Sequence, residues 1–503
     1  MPARPIRVKL KNELGISTSL PEGEQCFHWC GHGKDILVLC PGPDPDLCRR
    51  LIPSDARTYV LMQPEFNRQM PPGWADRLPP AWIPVDPVCA ATLASEARIL
   101  HYGPATRIFP SLYLPLLAQT RPLPVRPDSN EIWLPGESAA LIIPELARAA
   151  TILGLRPRLL PADLLPTKLI ELLETGHPRL FLSINLRGLD PYGENQALLA
   201  KAGVPVALWC VDNPLHLLCG QKNRLWLRLP LYVTDSWFIE PLQSLGADPR
   251  HLPLATCLQF FPPGPPCPQG RELLFVGRAS FPDRDRFFAA SRVPESLAKQ
   301  AAMLPGRTAH FGWWREQLPD IALWPGNDVR VLGLGAELAS TRWRSDCLQA
   351  LARRVALNVI GDQTWAGLVP QATHLPPVDY YHGLAQCYAA SPFTLNLTSL
   401  LLPHGLTQRH FDVWACGGFL LTDNTPGLDI FPADLTRAVS FETPEQALSL
   451  LFDLEARPGH KEELRHAWQE LIIRDHTYTR RLAYILENCQ PQPATEPVCS
   501  KQA

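Results

Sequence analysis

The chain reads as an α/β protein: two doubly wound parallel-sheet domains facing a cleft, beside a small N-terminal α/β unit. Three observations predict this. From residue 131 onward, apolar runs recur without polar alternation, as in strands covered on both faces. Several of these runs lead from a polar residue into helical periodicity, the rhythm of a parallel sheet. That rhythm pauses at QFFPPGPPCPQGR (259–271), which reads as a Pro-rich linker and hinge, and then restarts, so two such units lie in tandem. A length of 503 residues also exceeds what one core holds.

Taken in order, residues 1–125 carry short apolar runs at 36–40, 58–62 and 97–101 between Pro-rich loops, an accessory α/β domain. RPLPVRPDSN (121–130) reads as a linker. The domain at 131–258 opens with the strand EIWL, turns at Gly136, and has helical periodicity over 138–153 up to Gly154. RLFLSIN (179–185), VPVALWCVD (204–212) and LYVTD (231–235) follow as strands. Ligands of such sheets collect outside the strands' carboxyl ends, so Asn185, Asp212 and Asp235 point toward one crevice. The domain at 271–475 repeats the pattern with ELLFVGR (272–278), VALNVIGD (355–362), FTLNL (393–397) and GFLLTD (418–423). A crossover helix is expected at 476–489 and a disordered tail at 490–503.

Composition excludes several classes. A net charge of −2 gives no basic field for nucleic acid. No apolar h-region follows the basic start and no apolar stretch is long enough to span a bilayer, so a cytoplasmic protein is expected. The 14 cysteines lie mostly within apolar runs and read as reduced, buried thiols. Cys26, His28, Cys30 and His32 alternate on one strand face. Four ligands from a single strand cannot close a tetrahedron, so no metal site is assigned. The 55 prolines punctuate turns and linkers.

Two stretches carry chemistry. In FVGRAS (275–280), Gly277 allows close backbone approach after a strand and Arg278 follows it. In HGLTQRHFDVWACGG (404–418), a polar loop containing His404, Thr407 and Gln408 runs into a helix at 409–416. Arg409 falls in its first turn, where a cation opposes the helix dipole by roughly 0.3–1 kcal/mol. A bound phosphate would reverse that penalty, and Asp412 one turn on would accept from a ribose diol. Asp212 either serves as a general base at a strand end or caps the next helix beside Asn213. His476 reads as a cap or packing group for the last helix.

RHFDVWACGGFLLTDNTPGL, with DHTYTRRLAYIL further on, resembles the CgeB-like (spore-maturation-protein type) glycosyltransferases. The resemblance covers 131–488 and is strongest over 355–488. It implies a GT-B fold of two Rossmann-like domains, acceptor-side at 131–258 and nucleotide-sugar-binding at 271–475. Arg409, Phe411, Asp412, Ala415, Cys416 and Gly417 match the family's R-x-F-E-x-x-A-C-G segment, with Asp412 in place of Glu. Residues 404–412 are similar to the E-x7-E element of GT-B transferases, with His404 and Asp412 in its acidic places. Arg278 matches the phosphate-loop arginine. The accompanying Lys is absent, and Arg284 or Arg286 stands nearest to its role.

The expected activity is transfer of a sugar from a nucleoside-diphosphate sugar to a protein such as flagellin, a polysaccharide or a small molecule. No cofactor or metal is assigned. Asp212 and His404 are the catalytic candidates; Gly277, Arg278, Thr407, Gln408, Arg409 and Asp412 are the substrate-binding ones. Two rival readings are a catalytically weak nucleotide-sugar sensor and a sugar epimerase on the same scaffold.

Overall fold

The computed structural model describes residues 8–123 and 130–489. The expected linker at 121–130 lies mostly outside them, and the expected tail at 490–503 wholly so.

The N-terminal unit opens with the hairpin β1 (Lys9–Lys11) and β2 (Ser17–Ser19). Five strands follow: β3 (Phe27–Gly31), β4 (Ile36–Leu39), β5 (Thr58–Leu61), β6 (Ile83–Val85) and β7 (Arg98–Tyr102). They form one sheet in the order β3-β7-β4-β5-β6, antiparallel only at the β3–β7 pair.

Next come β8 (Glu131–Pro135), β9 (Arg156–Leu160), β10 (Leu180–Ile184), β11 (Val206–Cys210), β12 (Leu231–Val233) and β13 (Pro249–His251). They make a six-stranded parallel sheet in the order β13-β12-β11-β10-β8-β9. The third sheet holds β14 (Leu273–Val276), β15 (Leu357–Ile360), β16 (Thr373–Leu375), β17 (Phe393–Asn396), β18 (Leu420–Asp423) and β19 (Ser440–Phe441). It is also six-stranded and parallel, in the order β16-β15-β14-β17-β18-β19. Residues of β10, β11, β14 and β17 are almost all buried, which is why their sequences are continuously apolar. These paired doubly wound sheets are the predicted GT-B architecture. Strand order reverses between β8 and β10 in one sheet and between β14 and β17 in the other. Ligands of such sheets bind outside the carboxyl ends at these switch points.

The carboxyl-end loops of the two large sheets touch. Asn213 Nδ2 donates to the Leu401 carbonyl at 3.2 Å, and the His404 amide donates to Asp235 Oδ2 at 3.1 Å. The last helix, Tyr478–Asn488, returns to the first large sheet and packs on the helix Ile143–Ile152. Thr477 forms a parallel bridge to Thr256 as the chain crosses back.

Two features depart from the expected layout. The Pro-rich stretch 259–271 is packed down rather than loose. Phe261 is fully buried, the Cys267 amide donates to Gly417 O at 3.2 Å, and Lys461 Nζ donates to Pro268 O at 3.5 Å. In addition, Phe311, Trp314 and Ala336, which follow β14 in the chain, share a core with Leu215, Trp226 and Phe238 of the first large sheet's layer. The helix Arg330–Ala352 runs from that core into the next, where Cys347, Leu348 and Leu351 pack. Gly333 and Gly335 let it pass against His216 and the Trp314 ring, where a Cβ would collide. No helix among the described residues is long and apolar enough to cross a membrane.

Candidate active site

Arg409 is half-buried at the switch point of the second large sheet. Its Nε donates to Asn396 Oδ1 at 2.7 Å and its Nη1 to the Val276 carbonyl at 2.6 Å, so it joins the ends of β17 and β14. Burial lowers the guanidinium's pKa, and Tyr388, Asp423 and Asp412 nearby counter this. The helix it opens, Arg409–Ala415, is seven residues long. The expectation that only a bound anion would reconcile a first-turn cation is therefore corrected: two protein acceptors already meet this arginine.

The loop after β14 is held from behind. Arg344, itself 8% exposed, donates to the Arg278 carbonyl at 2.8 Å and to the Ala279 carbonyl at 2.6 Å. Asp362 Oδ2 accepts from the Ala279 amide at 2.7 Å, and Trp365 Nε1 donates to Gly277 O at 2.8 Å. Those contacts consume backbone and leave the Arg278 side chain exposed, with Asp362 as a charged neighbour. Gly277 adjoins the Arg409 guanidinium, 3.7 Å from where its Cβ would lie. Gly277 and Arg409 thus come together, with Arg278 next along the same loop.

Thr407 is engaged differently from the expected phosphate contact. Its hydroxyl donates to Asn396 Oδ1 at 3.0 Å and its amide to His410 Nδ1 at 3.0 Å. Gln408 is half-buried just before the helix. Asp412 is 1% exposed, and its two oxygens accept from Thr256 Oγ1 at 2.8 Å and Tyr380 OH at 2.6 Å. Burial raises its pKa well above the usual carboxylate range. Contrary to the ribose expectation, this carboxyl is spent on the join between the large sheets.

His404 also serves the join. Besides its amide bond to Asp235, its Nδ1 lies 3.2 Å from Ser236 Oγ, and burial followed by Arg307 lowers its pKa. Burial pushes Asp235 up to about 7, against the amides of Trp237 and His404 that favour its charged form.

At the opposite edge, Asp212 follows β11. The helix-cap alternative fails here, because Asn213 caps the helix Pro214–Leu218 by accepting from Leu215 and His216. Asp212 is exposed to solvent at the carboxyl end of the sheet, with protein packed around its backbone. That crowding raises its pKa, while an Asn185 hydrogen bond and the Arg187 charge lower it. Asn185 Nδ2 donates to Asp212 Oδ2 at 2.7 Å. Of the three strand-end residues, Asn185 and Asp212 form one pair, and Asp235 belongs to the His404 contact.

Sequence reasoning passed over Asn396, Arg307 and Arg344. Asn396 is fully buried, and its Nδ2 also donates to Thr398 at 3.0 Å and Thr422 at 3.1 Å. An amide inside the apolar run FTLNL was the available signal, since buried polar groups require partners. Arg307 pairs with Asp423 at 2.5 Å and donates to the Thr398 carbonyl at 2.9 Å, shaping the loop that follows β17. Among the described residues no group of three or more His, Cys, Asp or Glu is arranged to hold a metal ion.

Residues 342–487 match the family described as glycosyl transferase-like. That span contains β15 to β19, Arg409 and most of the last helix. No curated protein matches the chain. Among solved structures, T4 phage BGT in complex with UDP and Mn2+ is similar at 9% identity and a TM-score of 0.37, covering 71% of this chain and 97% of that one. A UDP-glucosyltransferase from Polygonum tinctorium gives 9% identity and a TM-score of 0.31, covering 73% and 99%. Phytolacca americana UGT2 gives 9% and 0.30, covering 90% and 99%. Similarity at that level carries no inference about chemistry.

Proposed function

We propose that the chain is a glycosyltransferase that moves a sugar from a nucleoside-diphosphate sugar to the hydroxyl of an acceptor. The observation that carries this reading is the Arg409 guanidinium at the β14–β17 switch point, against Gly277 of the loop that also carries the exposed Arg278, within a segment matching the glycosyl transferase-like family. The two cations would neutralise charge as it builds on the departing diphosphate, so no metal is needed for that task. In this reading 271–475 is the donor side and 131–258 the acceptor side, with 1–125 accessory. The R-x-F-D-x-x-A-C-G segment supports the finer assignment to the CgeB-like group.

On the acceptor side Asp212 is the base. A carboxylate whose pKa is raised by its surroundings is a stronger proton acceptor than one in bulk water. It takes the acceptor's hydroxyl proton as that oxygen bonds to the anomeric carbon. The bond from that carbon to the diphosphate oxygen breaks, and the nucleoside diphosphate leaves with the electron pair.

A thermal-shift series with UDP-, GDP-, ADP- and CMP-sugars tests donor binding, because a ligand of the folded state raises the melting temperature by mass action. One nucleotide class should stabilise the protein, and a flat response to all four would remove the reading. Slow hydrolysis of the stabilising donor separates a transferase from a sensor, which would release it intact.

A further inference from the structure

Three residues in the turn after β10 hold left-handed backbone: Asn185 at φ 54, Leu186 at φ 65 and Gly188 at φ 76. Glycine adopts this region freely and asparagine tolerates it, but for leucine it is strained. The turn is held in place at several points. Ser183 Oγ donates to Arg187 O at 2.7 Å, the Gly188 amide donates to Ala162 O at 2.7 Å, and Asn195 Nδ2 donates to Gly188 O at 2.9 Å. Strain so firmly held, at a switch point, calls for a purpose beyond linking a strand to a helix.

Its outcome is the placement of one amide. Asn185 Oδ1 accepts from the Val211 amide at 2.8 Å, which orients the side chain and turns Nδ2 toward Asp212 Oδ2. The Asp212 amide also approaches Asn185 Oδ1, at 3.4 Å. One carboxylate oxygen of Asp212 is thereby held, and hydrogen bonds fix the β11 end that carries it. The other charged or titratable groups acting here are Arg187, which favours the carboxylate, and the buried thiol of Cys210.

We propose that Asn185 is a positioning residue for the Asp212 base: its amide holds Oδ2 so that Oδ1 is presented to the acceptor hydroxyl. This inference rests on the proposed role of Asp212. Asn185 favours the ionised carboxylate and keeps the base available at lower pH than its crowded surroundings would allow.

The test is Asn185→Gly, which keeps the left-handed backbone without strain and deletes only the amide. Leu186→Gly serves as a control that changes the same turn and leaves the amide in place. Two readouts are taken: the pH profile of donor hydrolysis, and the titration of Asp212 by carbon-13 NMR of labelled aspartate, its resonance assigned with Asp212→Asn. Asn185→Gly should raise the Asp212 titration midpoint and the acidic limb of the rate by about one pH unit, and Leu186→Gly should move neither. An unchanged midpoint in Asn185→Gly overturns the proposal even in a variant too slow to assay. The base assignment fails separately: if Asp212→Asn hydrolyses donor at the parent rate, Asp212 is no base, whatever Asn185 does to its titration.

Discussion

Replacing Arg278 and Arg409 by alanine, one at a time, separates ligand binding from support of the fold. The Arg278 side chain is exposed, and the protein engages its backbone carbonyl instead. Arg278→Ala should therefore change stability by less than about 0.5 kcal/mol. Arg409 donates hydrogen bonds at 2.7 and 2.6 Å to Asn396 and Val276, tying β17 to β14. Each charge-assisted bond contributes roughly 1.5–3 kcal/mol. Asn396 Oδ1 keeps its bond from Thr407, and a half-buried charge is removed, so the net loss should be about 2–4 kcal/mol. Loss of one contact to a diphosphate costs either variant roughly 1.5–3 kcal/mol of affinity, or about 10- to 150-fold. Urea midpoints together with calorimetry of the nucleoside diphosphate give both quantities. Arg278→Ala binding the nucleotide as the parent does, or Arg409→Ala losing stability but no affinity, would refute the placement of the diphosphate.

Three further outcomes are expected. Asp212→Asn should leave melting unchanged, because Asn213 is the cap, while turnover falls roughly 10²–10⁴-fold; a rate within a few-fold of the parent leaves the base unassigned. Tyr380→Phe strands a buried Asp412 oxygen and should cost roughly 1–3 kcal/mol in denaturant unfolding, and a cost near zero would mean that water replaces the hydroxyl. Asp235, raised to about 7 by burial, contributes stability below its unfolded pKa and loses it as pH climbs through the folded one. Asp235→Asn has no such loss, so relative to the parent it should be roughly 2–3 kcal/mol less destabilising at pH 8 than at pH 5. An equal difference at both pH values would show that Asp235 ionises as if exposed.

The parts of the fold legible in the sequence were those with a physical signature in the chain. Central strands such as β10, β11, β14 and β17 are buried on both faces and so read as apolar runs. Edge strands such as β16, exposed throughout, and β9, buried only at Leu160, carry no such run and were not anticipated. The positions of Gly277 and Arg278 after β14 were recognisable, because a strand followed by Gly-Arg is a local pattern, and that of Arg409 because it opens a helix. The engagement of Asp412, His404 and Thr407 was not recognisable. Their partners Thr256, Tyr380, Asp235 and Asn396 lie elsewhere in the chain, and spacing within one helix says nothing of them. The Pro-rich stretch misled for the opposite reason: proline marks irregular backbone, and irregular backbone can still be buried against a neighbour.

The shared core of Trp226, Phe238, Phe311, Trp314 and Ala336 bears on how the protein is made. On the ribosome, the strands up to His251 emerge with their own helices but well before the later helices that complete the cover of one face. Leu215, Trp226 and Phe238 of the first large sheet's layer gain the partners Phe311, Trp314 and Ala336 only when the chain has grown some 85 residues beyond β13. Domains that fold as soon as they emerge escape aggregation, whereas a half-covered sheet does not. The first large sheet therefore completes its core only after β14, the first strand of the second, has been made. A fragment ending at the Pro-rich stretch should come out insoluble, although its secondary structure is complete.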